Sequence, residues 1–404
     1  MLSFEAARAK VTEVIRARAD FPKTEVVDIS EDPVQALDRV LAEDVTADRD
    51  YPPFDRSTRD GYAVRAADAA QAGTRLRLVG ESRAGVAFEG AVGAGECVRI
   101  LTGAAVPKGA DAVVMQEYAR VEEDCVVLER GAAAGQNFVV AGAESRAADV
   151  LLERGKRLGY AELAMAAQAG RAKLRVNRRP RVAILSTGDE VVDVKEAPGP
   201  FQIRNSNSVS LTAQVMYAGG EPVALGNARD EVDDLRDRIE RGLATDVLVL
   251  SGGVSVGTYD LVETVLQELG AEFFFDSVAI RPGKPAVFGW CRGKPVFGLP
   301  GNPVSTMVTF ELFVALAIEM LGGAEPRPLF SKAKLAQAVS EKTPLAHFLP
   351  ARANWDSGNP VVETIPWQGS GDVGAVVRGN CFLVVRGDRQ QLSAGEWVDI
   401  LMRR

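Results

Sequence analysis

Hydrophobic positions along the chain change period several times, and each change marks a different kind of structure. The opening MLSFEAARAKVTEVIRARAD carries apolar residues at helical spacing among charges, which predicts an amphipathic helix. In VQALDRVLAEDV the residues Val34, Leu37, Val40 and Leu41 repeat that spacing and predict a second helical stretch. From about Asp48 to Ala148 the texture turns to short β-like runs, RLRLVGES, GECVRILTG, DAVVMQEY and CVVLER, separated by glycines, as in a compact β-rich domain. Helical spacing returns from about Leu151 to Leu174, with Tyr160, Leu163, Ala164 and Ala167 on one face that is expected to pack against the N-terminal helix. Residues 1–47 and 149–178 would then form one discontinuous linker domain around the β-rich 48–148.

Strand and helix patterns alternate through 179–325. RVAILST and DVLVLSGG read as buried strands and EPVALGNA as a third; SVSLTAQVMYAGG, DEVDDLRDRIERGL and YDLVETVLQELG read as the helices between them. This predicts a doubly wound α/β domain with a mostly parallel sheet. The last segment, 326–404, carries ARANWD, VVETIPW, CFLVVRGD and EWVDILM between turn residues and reads as a small β module. Four units in 404 residues agree with the usual domain size of about 100–200 residues.

Composition narrows the chemistry. A formal charge of −8 gives no global positive field, so neither nucleic acid nor an anionic membrane surface is an expected partner. The apolar stretch from Val304 to Leu321 is broken by Glu311 and Glu319 and does not read as a membrane span, and the N-terminus lacks the pattern of a signal peptide, so a cytoplasmic location is expected. His347 is the single histidine, which leaves no room for a multi-histidine metal centre or a histidine relay. The four cysteines, Cys97, Cys125, Cys291 and Cys381, are widely spaced and read as packing thiols.

Ligands of an open α/β sheet bind beyond the carboxyl ends of its strands. Three loops with unusual chemistry belong there: Thr187-Gly188-Asp189-Glu190, then Ser251-Gly252-Gly253-Val254-Ser255-Val256-Gly257 leading to Asp260, and Leu299-Pro300-Gly301-Asn302-Pro303-Val304-Ser305. Glycines allow close approach of a phosphate or flat heterocycle, and hydroxyls add donors. Between the second and third loops, Arg281-Pro282-Gly283-Lys284-Pro285 holds two cations on a rigid turn suited to a compact oxyanion. Glu190, Asp260 and Asp230 share the rim and would repel phosphate unless an oxygen-ligated Mg²⁺ intervened; Asp230 also reads as a helix N-cap. Asp60 in FDRSTRDGYA and Thr102 in LTGAAVP lie in dense polar turns of the β-rich domain.

Together these motifs resemble the molybdopterin molybdenumtransferase family, which includes MoeA and the gephyrin E domain. DGYAV, TGAAVP, STGDE, SGGVSVGTYD, RPGKP and LPGNPVS, with WQGSGD around Ser370 and AGEWVDI near the end, match in order over nearly the whole chain. The resemblance implies a third domain like the MogA adenylyltransferase fold, and a homodimer whose cleft joins the third domain of one subunit to the second domain of the other. It implies insertion of molybdenum from molybdate into adenylylated molybdopterin, with Mg²⁺-dependent release of AMP. Glycine-rich loops would hold pterin and phosphates; Arg281 and Lys284, with Ser305 and Ser370 nearby, would hold molybdate. Glu190, Asp260 and Asp230 would position Mg²⁺ and water, and Asp60 and Thr102 would come from the partner subunit. A MogA-type molybdopterin adenylyltransferase and molybdoenzyme maturation proteins are the implied partners.

Four positions depart from the family pattern: Arg59 where methionine is usual, Glu144 where aspartate is expected, Ser277 in place of lysine, and Pro350 where arginine is common. These substitutions weaken two anion contacts and alter an acid. The competing class is a catalytically weakened, gephyrin-like dimeric scaffold, which would be expected to lose the rim acids and the RPGKP cations; both are present here. A third reading, a nucleotide- or sugar-nucleotide-binding enzyme on the same rim, predicts nucleotide binding without molybdate dependence.

Overall fold

The computed structural model describes residues 1–20, 22–253, 261–342, 344–355 and 358–403. A six-stranded sheet organises its centre. In chain order the strands are β1 (Arg181–Thr187), β2 (Glu221–Ala228), β3 (Val247–Ser251), β4 (Glu272–Phe275), β5 (Val287–Cys291) and β6 (Lys294–Leu299). They lie side by side as β2-β1-β3-β6-β5-β4. The first four in that order run parallel, and β5 and β4 add an antiparallel edge. β1 and β3 are buried along almost their whole length, which is why they read as unbroken apolar runs rather than alternating ones.

Helices cover both faces of this sheet. Numbered in chain order, the helices of the described residues are α1 (Phe4–Arg18), α2 (Tyr160–Gln168), α3 (Ser206–Tyr217), α4 (Val232–Leu243), α5 (Leu261–Glu268), α6 (Pro303–Leu321) and α7 (Val373–Arg378), of which α2 packs in a different core. α4 and α5 bury Leu235, Ile239, Val262, Val265 and Leu266 against one face of the sheet. α3 and α6 pack on the other, where Leu211, Val215, Val308, Phe310 and Phe313 share a core with Val182, Ile184 and Phe297. Each such side chain taken fully out of water contributes on the order of 1.5–3 kcal/mol. α6 is long and apolar enough to cross a membrane, yet it is almost wholly buried in this core. Its Glu311 accepts from Gln214 Nε2 at 2.9 Å, and Glu319 accepts from the Arg327 amide at 3.1 Å.

The N-terminal helix sits elsewhere than its spacing suggested. α1 does not pack on 160–174; Phe4, Ala7, Val11, Val14 and Ile15 join the core beneath α6, and the Arg8 guanidinium caps the Leu312 carbonyl in a widened turn of that helix. A helix with one apolar stripe takes the largest apolar face within reach, and α6 offers more than α2, whose Tyr160 is exposed. Residues 24–28 instead pair with 173–177, and Val45–Thr46 with Val150–Leu152, around a core of Val27, Ile29, Leu41, Leu158, Leu174 and Val176. The helix expected in VQALDRVLAEDV reduces to one short turn, Pro33–Gln35. Val40 and Leu41 bridge to Arg157 and Val176, while Val34 and Leu37 stay exposed, so strand pairing across the insertion overrides local helical spacing.

The β-rich insertion forms one six-stranded sheet in which Gly61–Val64 lies between Glu96–Ile100 and Ala112–Met115. In the C-terminal unit Ala346–Asn354 pairs with both Val361–Thr364 and Cys381–Val385, and the latter with Trp397–Met402, so the strands close on themselves. The short strand Ile280–Arg281 adds to its edge in register with Ala346 and His347. The two cations of RPGKP thus leave the α/β domain along the rim of the C-terminal one.

Candidate functional site

Between β1 and β3 the chain order of the sheet reverses: β1 leads through α3 to β2 on one side, and β2 leads through α4 back to β3 on the other. At such a switch point the loops diverge to opposite faces and leave a crevice. A cleft of about 450 Å³ opens here, lined by residues 186–188, 190–191, 203–207, 230, 251–253, 285 and 300–303. Of the residues singled out in the sequence, Thr187, Gly188, Glu190, Asp230, Ser251, Gly252, Gly253, Pro285, Pro300, Gly301, Asn302 and Pro303 line it. Ser255, Gly257 and Asp260 lie outside the described residues.

Close packing dictates glycine at the mouth of β3. Gly252 and Gly253 have φ of +90° and +61°, and a Cβ on Gly253 would stand 2.6 Å from Thr187 Oγ1. Asn227 Nδ2 ties down the neighbouring loop through the carbonyls of Gly188 and Val191, both at 3.0 Å. Glu190 folds back over Gly188, whose φ is +123°. The Asp230 amide donates to Asp189 Oδ1 at 3.3 Å, so three carboxylates gather on one rim. Partial burial pushes the Asp230 carboxyl above its ordinary range, and the charges of Asp189 and Glu190 add to that. Among the described residues no group of three or more His, Cys, Asp and Glu side chains closes into a metal cage. Asp189 lies on the outer side of this rim, not among the residues lining the cleft.

The cationic turn adjoins the cleft through Pro285. Arg281 and Lys284 are exposed, and neither has an ion-pair partner among the described residues, whereas Pro282 and Gly283 are buried. Gly283 has φ +108°, and its missing side chain admits Thr309 Cγ2 and the Ser305 backbone. Ser305 is buried under this turn, and the Ser370 carbonyl accepts from the Val304 amide at 3.0 Å. RPGKP, the start of α6 and the 369–372 turn are therefore brought together at the edge of the cleft, where Pro285 and Pro303 line it while Arg281, Lys284, Ser305 and Ser370 do not.

Asp60 and Thr102 form a separate unit on the β-rich domain and are not among the cleft-lining residues. The Asp60 carboxylate accepts from the Thr102 amide at 2.7 Å and from Thr102 Oγ1 at 2.8 Å, and these two bonds hold it below the usual carboxylate range. The departing positions are accommodated without strain: Glu144 pairs with Arg56 at 3.1 Å, Arg59 donates to the Thr58 carbonyl, Ser277 donates to Asp276, and Pro350 lies in the strand 346–354.

One group of cleft residues was missed in the sequence: the run Arg204-Asn205-Ser206-Asn207. Asn205 is the N-cap of α3, accepting from the Ser208 amide at 3.0 Å. An Asn-Ser-Asn-Ser run before an apolar helix is the N-terminal signal that would have found it. Asn207 Nδ2 donates to Ser251 Oγ at 2.9 Å and to the Gly301 carbonyl at 2.7 Å, joining two of the three loops. Its Oδ1 and the Thr187 hydroxyl are buried without a hydrogen-bond partner among the described residues. An unpartnered buried polar atom costs on the order of 1–3 kcal/mol, and such costs concentrate where a ligand completes the set.

This fold and cleft define a multidomain protein built around a molybdopterin-binding type of α/β domain: the family described as a probable molybdopterin binding domain matches residues 183–319. The MoeA N-terminal region (domain I and II) matches 2–170, and the MoeA C-terminal region (domain IV) matches 332–402. A molybdopterin molybdenumtransferase of Bacillus subtilis is 34% identical over 98% of this chain and 94% of its own length. One of Staphylococcus aureus is 33% identical over 91% of this chain and 89% of its own. A molybdopterin biosynthesis MoeA protein from Pyrococcus horikoshii, 33% identical, superposes over the whole chain and 99% of its own with a TM-score of 0.78. The chain belongs to the MoeA family.

Proposed function

We propose that this protein inserts molybdenum from molybdate into adenylylated molybdopterin and releases AMP. The observation that carries this reading is the pairing of a cleft rich in glycine, hydroxyl and backbone donors with two adjacent cations that have no ion-pair partner among the described residues. The cleft at the switch point takes the pterin and the phosphates; Arg281 and Lys284, on a turn held rigid by two prolines, take the tetrahedral oxyanion. The named activity of the relatives at 33–34% identity supports the same substrate pair. Retention of the rim acids and of both cations favours a working enzyme over a docking scaffold.

A divalent cation fits the acidic rim. Asp189, Glu190 and Asp230 repel one another, and Mg²⁺ is commonly held by only one or two carboxylates together with substrate phosphates. Glu190 and Asp230, with Asp260 from outside the described residues, would hold it, and when bound it neutralises phosphate charge as the pyrophosphate link breaks. The protein's own groups orient the phosphates and one water, whose oxygen adds to a phosphorus of the link as the bridging oxygen leaves, giving AMP and the molybdopterin phosphate. Because Asp60 and Thr102 do not line this chain's cleft, a homodimer in which the partner's β-rich domain brings them to it is part of the reading. Such a protein works after a MogA-type adenylyltransferase, and in the cytoplasm.

The test is a coupled assay with purified protein, adenylylated molybdopterin, Mg²⁺ and molybdate, following AMP release and activation of a molybdenum-dependent apoenzyme. Molybdate-dependent AMP release with active cofactor is expected. Binding of the adenylylated pterin without turnover would instead favour the scaffold.

A further inference from the structure

Asn207 is bound to two of the loops that line the cleft, and the polarity of those bonds has a consequence for Ser251. The Gly301 carbonyl can only accept, so the amide nitrogen of Asn207 must face it. That orientation directs the same nitrogen's second proton to Ser251 Oγ at 2.9 Å. Ser251 is nearly fully buried at the carboxyl end of β3, and its hydroxyl accepts from Asn207 and donates to no described residue. With a lone pair of the oxygen engaged from α3, the hydroxyl proton cannot be given to Asn207, and Ser251 itself lines the cleft. The Asn207 Oδ1, buried without a partner among the described residues, fits a side chain placed for the ligand-bound state rather than for the fold alone.

We propose that Asn207 is a positioning residue that makes Ser251 a hydrogen-bond donor toward an acceptor oxygen of the bound adenylylated pterin, its phosphate or carbonyl oxygens being the chemistry that fits. This rests on the functional reading above. Were Asn207 lost, the Ser251 hydroxyl would be free to turn its proton to the nearest protein carbonyl, and the 300–303 loop would lose its tie to α3.

A double-mutant cycle on the full-length protein tests it, using equilibrium binding of adenylylated molybdopterin and, separately, of AMP, with thermal melting as a check on the fold. Ser251→Ala and Asn207→Ala are each expected to weaken binding by about tenfold, the scale of one hydrogen bond to a charged group. Because Asn207 acts through Ser251, the double variant is expected to lose little more than either single one. Independent effects multiplying to about a hundredfold would overturn the proposal, as would unchanged binding in Asn207→Ala. Should Asn207→Ala fold poorly, Asn207→Ser, well suited to the first turn of a helix, replaces it in the same cycle. If the wild-type protein binds no adenylylated pterin, the functional reading fails; if it binds and the cycle is additive, only this inference does.

Discussion

Gly283 ties the Arg281–Lys284 turn to the core, and replacing it with alanine has a calculable effect. Its φ of +108° is a backbone conformation that residues with a Cβ rarely adopt, and forcing one there costs on the order of 1–3 kcal/mol. An alanine Cβ would also stand 2.5 Å from Thr309 Cγ2 and 3.1 Å from Ile280 Cδ1, both well inside van der Waals contact. Overpacking of this kind in a filled core costs about 1–3 kcal/mol more. Gly283→Ala should therefore lose about 2–6 kcal/mol in urea unfolding, seen as a lower midpoint. Thr309→Ser removes the clashing methyl and keeps the hydroxyl that donates to the Ser305 carbonyl at 2.8 Å, so in the double variant the steric part should return while the backbone part remains. Because Gly283 lies between Arg281 and Lys284, the single variant should also raise the KM for molybdate more than that for adenylylated pterin. A loss below about 1 kcal/mol, or no recovery with Thr309→Ser, would refute the steric account.

Other outcomes follow from the site. Lys284→Ala should raise the KM for molybdate about tenfold with a smaller change for adenylylated pterin, read from AMP release at varied molybdate; equal losses would count against the clamp. Asp60→Ala and Asp260→Ala should each abolish metal insertion without loss of fold or dimer. Subunits of the two variants mixed at equal ratio should regain about a quarter of the activity, because in half the dimers one cleft then carries neither change, whereas no recovery would argue against a shared cleft. Asp230 has a raised carboxyl pKa, so the folded state disfavours its charged form and stability falls as pH rises through the interval above its ordinary value of 3.8. Asp230→Asn should accordingly melt slightly higher than wild type at pH 7, by well under 1 kcal/mol given its exposure, with the gap closing toward pH 3.5. Mg²⁺ with AMP should raise the melting point of wild type more than that of Asp230→Asn.

Much of this protein is written in local pattern. RVAILST and DVLVLSGG are strands because uninterrupted apolar runs of that length suit positions covered on both faces, and 206–217, 232–243 and 261–268 are helices because their apolar spacing leaves one buried stripe. The three strand-end loops were recognisable for the same reason: Gly, Ser and Pro directly after a buried strand have few structural explanations. What the sequence could not decide was which surfaces meet over long separations. The destination of α1 beneath α6, the strand pairing that replaces a helix at 36–45, and the addition of Ile280–Arg281 to the C-terminal sheet depend on which apolar faces and strand edges remain once every element is in place. Asn207 is the sharpest case. As a residue in the first turn of a helix it reads as a helix-start signal, and only the folded chain sets its amide between Ser251 and Gly301, because hydrogen-bond partners forty-four and ninety-four residues away are chosen by tertiary geometry.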